Sequence, residues 1–247
     1  MVLYFSGTGN TRLAASCLAK ELEEPLHSME DGNAFPLREG ERLVLVSPLY
    51  FWGLPTFVLE YLRQQEHLHR NPLDAVICCG GAIGGGERLI RSQLRRAGFP
   101  GARVHPLVMT TNYIPWHEVD PLPVAAGKLH AALADVPAVA QAIRKGRSRS
   151  GPRVLGAVAP MVYVLYGFAR RTRHFHVTDR CIGCGRCARD CPTHAIRMEQ
   201  NRPRWTNPRC TLCLRCVHRC PTAAIEHGRG TVGKKRYQLP EEFRKEG

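Results

Sequence analysis

Apolar residues in the first 145 positions fall into short solid runs separated by longer periodic stretches. Val2-Leu3-Tyr4-Phe5, Leu43-Val44-Leu45-Val46 and Ala75-Val76-Ile77-Cys78-Cys79 have strand length and no apolar–polar alternation, and Arg103–Met109 reads as a fourth strand. Runs of this kind belong to strands buried on both faces. Between them the period lengthens. Leu13, Cys17, Leu18 and Leu22 recur at helical spacing, with Arg12, Lys20 and Glu23 off the stripe, which predicts a helix over 11–24. Pro55 opens a helix to about Gln65, and Glu87–Ala97 forms another that Gly98 stops. A last helix covers 125–144, where Pro137 interrupts or divides it. Strands alternating with helices define a parallel α/β sheet.

The pattern changes after residue 146. The 14 basic and 14 acidic side chains of residues 1–146 cancel, whereas residues 147–247 carry 21 and 7, so the whole net charge of +14 sits in the second part. Eight of the eleven cysteines lie between 181 and 220, with only Cys17, Cys78 and Cys79 before them. The chain therefore divides into 1–146, a basic and apolar linker 147–175, a cysteine-rich module 176–228 and a polar, mobile tail 229–247. Val2–Phe5 is too short for a signal peptide, so a reducing, cytoplasmic setting is expected, and clustered cysteines there read as metal ligands or redox groups. Val154–Ala169 holds 16 residues without a charge, short of the ~20 that span a bilayer, and both flanks are basic. It reads as an interdomain segment packed on its own protein or on a partner, with interfacial membrane contact the minor alternative.

Open parallel sheets bind ligands at the carboxyl ends of their strands. Those ends carry Ser6–Thr11, Ser47–Gly53 and Cys79–Gly86. The first is a hydroxyl- and glycine-rich loop leading straight into a helix, whose N–H groups and hydroxyls suit an anion. It lacks the Lys-Ser/Thr ending of a nucleoside-triphosphate loop and the glycine spacing of dinucleotide folds, so a monophosphate fits better.

Phe5-Ser6-Gly7-Thr8-Gly9-Asn10-Thr11 after an N-terminal strand resembles the phosphate loop of flavodoxins, and every position of their Ser/Thr-x-Thr-Gly-x-Thr pattern is met. The resemblance covers about residues 1–145. It implies a doubly wound five-stranded sheet of order 2-1-3-4-5 that binds FMN. Ser6, Thr8, Asn10 and Thr11 would then hold the phosphate on a loop turned by Gly7 and Gly9. Tyr50, Trp52 and Gly53 would flank the isoalloxazine ring, with Gly80, Gly84 and Gly85 in the loop on its other side. Cys79–Glu87 lacks the aromatic that flavodoxins usually place there, which leaves Tyr113 or Trp116 to cover the ring, or one face open to a donor.

The second module is an internal duplication. Cys181-x2-Cys184-x2-Cys187-x3-Cys191-Pro192 returns 29 residues later as Cys210-x2-Cys213-x2-Cys216-x3-Cys220-Pro221, and the repeats share Arg186/Arg215, Thr193/Thr222, Ala195/Ala224 and Ile196/Ile225. A cubane cluster needs four thiolates around it; three close cysteines on one loop reach three irons and the fourth comes from elsewhere. Zinc sites built from two Cys-x-x-Cys pairs fit this run poorly. The pattern is similar to the two-cluster bacterial ferredoxins. That resemblance implies two [4Fe–4S] clusters, one on Cys181, Cys184, Cys187 and Cys220, the other on Cys210, Cys213, Cys216 and Cys191. The joint arrangement resembles the flavodoxin–ferredoxin fusion family, with a small α+β dicluster domain after the α/β one.

The expected function is electron transfer between FMN, the two clusters and a redox protein. The arginines among the ligands favour an acidic partner. No acid–base dyad or nucleophile constellation appears, so no turnover beyond electron transfer is expected. The basic residues are scattered among ligands and linker without a nucleic-acid motif, so no nucleic acid is expected. The alternative is a dicluster ferredoxin whose α/β domain is an empty docking or assembly module. The sequence does not fix the oligomeric state.

Overall fold

The computed structural model describes residues 1–32, 37–149 and 157–244. The start of the 154–169 segment and the last three residues of the tail lie outside these. Five strands form one parallel sheet of order β2-β1-β3-β4-β5: β1 (Val2–Tyr4), β2 (Leu26–Ser28), β3 (Leu43–Pro48), β4 (Leu73–Cys79) and β5 (Arg103–Val108). Register runs Leu26–Val2–Val44 on one side and Leu45–Ala75–Val104 on the other. Neighbouring side chains on a strand point to opposite faces. Leu3, Phe5, Leu45 and Ile77 thus pack under α2 (Thr56–Gln64) and α3 (Gly86–Arg96). Val2, Val44, Val46 and Val76 pack under α1 (Asn10–Leu22) and α4 (Leu122–Arg144).

Three expectations change. Strand β2 was not visible in the apolar pattern, because Leu-His-Ser at the sheet edge is only half-buried. Helix α4 runs unbroken through Pro137; Val136, Val139, Ala140 and Ile143 bury around it, and that burial offsets the lost backbone hydrogen bond. The tail is packed rather than mobile through residue 244: Tyr237 is buried against the first module and Phe243 joins the core between α1 and α4.

The cysteine-rich module holds two short antiparallel pairs. Strand β6 (Phe175–Val177) pairs with β9 (Ile225–His227), and β7 (Ile196–Glu199) with β8 (Arg202–Trp205); single turns α6 (Arg186–Arg189) and α7 (Arg215–His218) follow the cysteine loops. Its core of Phe175, Ala195, Leu212, Val217 and Ile225 also takes in Ile114 and Tyr166, so the two modules share one apolar seam. Helix α5 (Ala159–Ala169) ties that seam. The Tyr166 hydroxyl donates to the Thr211 carbonyl at 2.6 Å, and the Tyr163 hydroxyl donates to the Leu54 carbonyl at 2.7 Å. Among the described residues no helix is long and apolar enough to cross a membrane.

A charge cluster anchors the sheet end away from the ligand loops. The buried Asp74 accepts two bonds of 2.7 Å from Arg103 and lies 2.8 Å from His105 Nε2. Burial alone would raise this carboxyl, but the Arg103 and His105 bonds outweigh it and hold it below the usual carboxylate range. A carboxyl lowered on folding contributes its stability above the ordinary value and loses it as pH falls through the lowered one. Asp74→Asn is therefore expected to lower the unfolding free energy at neutral pH by about 3 kcal/mol and to flatten the acid limb of the stability profile. Urea unfolding followed by circular dichroism across pH tests both; an unchanged acid limb would refute the assignment.

Candidate functional site

The chain leaves β1 at Tyr4 and enters α1 at Asn10 through Gly9, whose φ of 112° only glycine adopts readily. No side chain caps α1, so its first N–H groups are left for a ligand. Ser6 Oγ accepts from the Gly9 N–H at 3.1 Å and braces the turn. Two of the predicted phosphate contacts already have partners: Asn112 Nδ2 donates to Thr8 Oγ1, and the Tyr237 hydroxyl donates to Asn10 Oδ1 at 2.5 Å. Thr11 bonds the buried Cys78 thiol.

Above this loop lies a cavity of about 440 Å³. Asn10 and Thr11 of α1 line it together with Tyr50, Phe51, Trp52, Gly80, Gly81, Tyr113 and Trp116. Leu212, Cys213 and Leu214 of the second module also line it. Phe51 and Trp52 sit at φ 50° and 62° in a tight reversal in which Tyr50 and Gly53 exchange both backbone hydrogen bonds at 2.9 Å. Non-glycine residues are strained there, and the paired hydrogen bonds hold the reversal that sets two rings at the cavity edge. Phe51 meets Tyr113 and Trp116 edge-on at 5.5 and 5.1 Å.

Of the residues predicted from the sequence, Asn10, Thr11, Tyr50, Trp52 and Gly80 line this cavity. Ser6, Gly7, Thr8 and Gly9 form the loop beside it. Gly53 lies under the Tyr163 ring, where a Cβ would come within 2.4 Å of it. Gly84 and Gly85 are not on the cavity wall. The Trp52 carbonyl comes within 2.5 Å of where a Cβ on Gly86 would stand, so this end of the loop packs on the Trp52 backbone.

Two smaller cavities mark the cysteine repeats. One is lined by Cys191, Cys210, Cys213 and Cys216, the other by Cys181, Cys184, Cys187 and Cys220. Each takes three cysteines from one run and the fourth from the other. Among the described residues no three His, Cys, Asp or Glu side chains close on a single-ion site; four thiols around a cavity are the donor set a polynuclear core needs. Burial pushes the Cys210 thiol up to about 12, and Cys213 and Cys187 to about 11. Such thiols keep their protons at neutral pH until a metal core replaces them. The Leu212 N–H points at Cys210 Sγ (3.3 Å) and the Ala224 N–H at Cys220 Sγ (3.2 Å), donors that stabilise charged sulfur. Cys184 is exposed, whereas Cys210 is buried in the seam.

The repeats diverge where the modules meet. The first run puts Gly183 and Gly185 at positive φ; the second holds Leu212 and Leu214 there, at 53° and 54°, and both leucines are buried against the flavin-sized cavity. Arg215, which the sequence shows only as the repeat partner of Arg186 and one of the arginines among the ligands, differs from its twin in its surroundings. It is buried, donates to the Gly7 carbonyl (3.2 Å), the Ser6 carbonyl (2.5 Å) and the Asp190 carbonyl (2.8 Å), and pairs with Glu30 through two bonds of 2.5 Å. Superposing the repeats flags it as the twin of Arg186, but only the fold places it against the phosphate loop. Asn112 and Tyr237 gave no sequence signal at all. The seam is tight: a Cβ on Gly7 would lie 2.8 Å from the Cys213 carbonyl and 3.0 Å from the Tyr50 hydroxyl. Gly7→Ala is therefore expected to push the modules apart and to lower retained flavin several-fold, with the iron held at Cys181, Cys184, Cys187 and Cys220 preserved. Flavin and iron counted per chain check this; unchanged flavin would show that the loop yields without cost.

The flavodoxin domain family matches residues 1–97, and the 4Fe-4S dicluster domain family matches residues 174–221. Curated proteins give no significant match. Among solved structures, a flavodoxin from the domain Archaea is 19% identical, covers 58% of this chain and 96% of its own, and gives a TM-score of 0.35. A WrbA-like flavodoxin from Agrobacterium tumefaciens is 16% identical over 58% and 96% (TM-score 0.36). Rubredoxin oxygen:oxidoreductase from Desulfovibrio gigas is 15% identical over 57% of this chain and 35% of its own (TM-score 0.32). The two domain matches and the sheet order define a flavin and iron–sulfur protein with an electron-transfer function. The chain thus carries a flavodoxin domain followed by a 4Fe–4S dicluster domain, the arrangement of a flavodoxin–ferredoxin fusion. Such domains imply FMN and 4Fe–4S clusters, and the residues fit both: the main cavity has the volume of a cofactor site and an uncapped helix N-terminus, and the thiols stand in fours.

Proposed function

We propose that the chain passes electrons between FMN in the main cavity and a redox protein, through the Cys191/210/213/216 set and then the Cys181/184/187/220 set. Bound FMN exchanges electrons singly or in pairs, and each cluster carries one. The observation that supports this order is that Leu212, Cys213 and Leu214 line both the main cavity and the first cysteine cavity. One loop thus touches both cofactor positions. Tyr50, Phe51 and Trp52 would wall the ring, the α1 N-terminus would take the phosphate, and Leu212 and Leu214 would keep water from the contact. Helices α6 and α7 pack on each other and relate the two thiol sets. At the far end Cys184 and Ile182 are exposed among Arg180, Arg186, Arg189 and Arg202, a face that suits an acidic partner.

Anaerobic purification with iron, acid-labile sulfide and released flavin counted per chain tests the reading. About eight iron, eight sulfide and one FMN are expected. Eight iron without flavin, even after FMN is added, would leave a dicluster ferredoxin with a docking module. Asn112 and Tyr237, already bonded to Thr8 and Asn10, are the contacts that would then be read as closing the loop.

A further inference from the structure

Helix α5 is apolar all round, from Ala159 to Ala169. Such a helix belongs in a core or against lipid. Its inner side meets that rule: Val162 lines the flavin cavity, and Tyr163 and Tyr166 bond across the seam. Its outer side does not. Met161 is 67% exposed, Val164 59%, Leu165 49% and Phe168 52%. Their spacing of three, four and seven makes one ridge along the helix. Four large apolar side chains on one short helix are a patch of the kind that marks an interaction surface.

The border of the ridge has one dominant sign. At its C-terminal end the Arg171 guanidinium lies 4.8 Å from the Phe168 ring, and Arg173 is exposed. Arg63, on α2, is exposed and close enough to act electrostatically on the Tyr163 hydroxyl. Helix α3 packs on α5 and carries exposed Arg88, Arg95 and Arg96. None of these guanidiniums is in an ion pair among the described residues. Most exposed arginines of the cysteine-rich module are different: Arg180, Arg186, Arg189, Arg202 and Arg204 each face a carboxylate within 4 Å, whereas Arg197 and Arg209 do not among the described residues. The acids on α2, α3 and the turn after α2 are Glu60, Glu66 and Glu87, and Arg91 holds the last.

We propose that this face docks on an anionic lipid bilayer, with Met161, Val164, Leu165 and Phe168 in the headgroup boundary and the unpaired arginines on lipid phosphates. The ridge stands exposed, and the arginines near it come from α2, α3 and the turn after α5. A protein partner would need a groove matched to the ridge and acids matched to each arginine, whereas a bilayer surface supplies both without shape matching. Docking is peripheral and reversible, since α5 has 11 residues and cannot span. It brings the wall of the flavin cavity, through Val162, to the membrane surface.

The test uses the full-length holoprotein, purified anaerobically, and co-sedimentation with vesicles. One set is phosphatidylcholine alone; the other is phosphatidylcholine and phosphatidylglycerol in equal parts. Binding is expected to the anionic vesicles, to weaken with salt and to be absent with phosphatidylcholine alone. Met161→Glu with Phe168→Glu should weaken it by about tenfold or more, and Arg88→Gln with Arg96→Gln by several-fold, both with unchanged flavin and iron. No sedimentation with anionic vesicles overturns the proposal, as does equal binding to both sets. Failure to bind lipid combined with a dimer that Met161→Glu and Phe168→Glu dissociate would assign the ridge to a second copy instead.

Discussion

Arg215→Met is expected to lower the stability of the assembled chain by about 3 kcal/mol, while the same change at its twin, Arg186→Met, shifts it by less than about 1 kcal/mol. The two arginines stand at equivalent positions of the duplicated run, so local chemistry is the same and only surroundings differ. Arg186 is half exposed and reaches Asp190 at 3.6 Å. Arg215 is 6% exposed. It satisfies the Ser6, Gly7 and Asp190 carbonyls and both oxygens of Glu30, so removing it leaves several acceptors and one carboxylate without a donor. The same guanidinium holds the phosphate loop against the loop of Cys213 and Cys216, so retained flavin should fall with stability. Thermal unfolding and flavin counted per chain read the two effects. Equal losses for both variants would mean that the seam is held by the apolar contacts of Tyr166 and Leu212 and that Arg215 only decorates it.

The legible part of the molecule is the part written in local patterns. The apolar runs at 2–5, 43–46, 75–79 and 103–109 became β1, β3, β4 and β5 with boundaries moved by a residue or two. The sheet order followed from the phosphate-loop resemblance rather than from the runs, because β2 has one apolar residue in three and is half-buried. The glycine-rich turn and the cysteine runs were legible because each is a contiguous motif with a spacing imposed by its ligand. What escaped was carried by contacts across long separations. Tyr237 meets Asn10 and Arg215 meets Ser6, separated by 227 and 209 residues, and no periodicity records such a pairing. The tail was misjudged for the same reason. Its charges read as solvated, yet Tyr237 is buried with its hydroxyl on Asn10, and Phe243 joins the core that α1 and α4 cover. Helix α5 was half legible: its lack of charge showed that it is covered, but only the fold shows that one side is covered by this chain and the other is not.

The crossing of the two cysteine runs gives the sharpest chemical expectation. Cys220 belongs to the second run in sequence but lines the cavity of Cys181, Cys184 and Cys187; Cys191 belongs to the first run but lines the cavity of Cys210, Cys213 and Cys216. Serine at either position should cut iron from about eight to about four per chain, since each removes one ligand of one cubane. The two losses differ in place. Cys220→Ser should empty the exposed end and leave the set whose Cys213 lines the flavin cavity, so electron exchange between flavin and iron survives while transfer to an external protein falls. Cys191→Ser should empty the seam and leave the exposed set isolated from the flavin. Anaerobic photoreduction of the flavin, with the remaining cluster followed by its paramagnetic signal, distinguishes the variants. If the pattern is reversed, each run ligates its own cluster and the crossing seen in the two cavities is not the ligation. If it holds, the order of contacts from Leu212-Cys213-Leu214 to the exposed Cys184 is the order in which charge moves, because only the seam set adjoins both the flavin cavity and the second cysteine set.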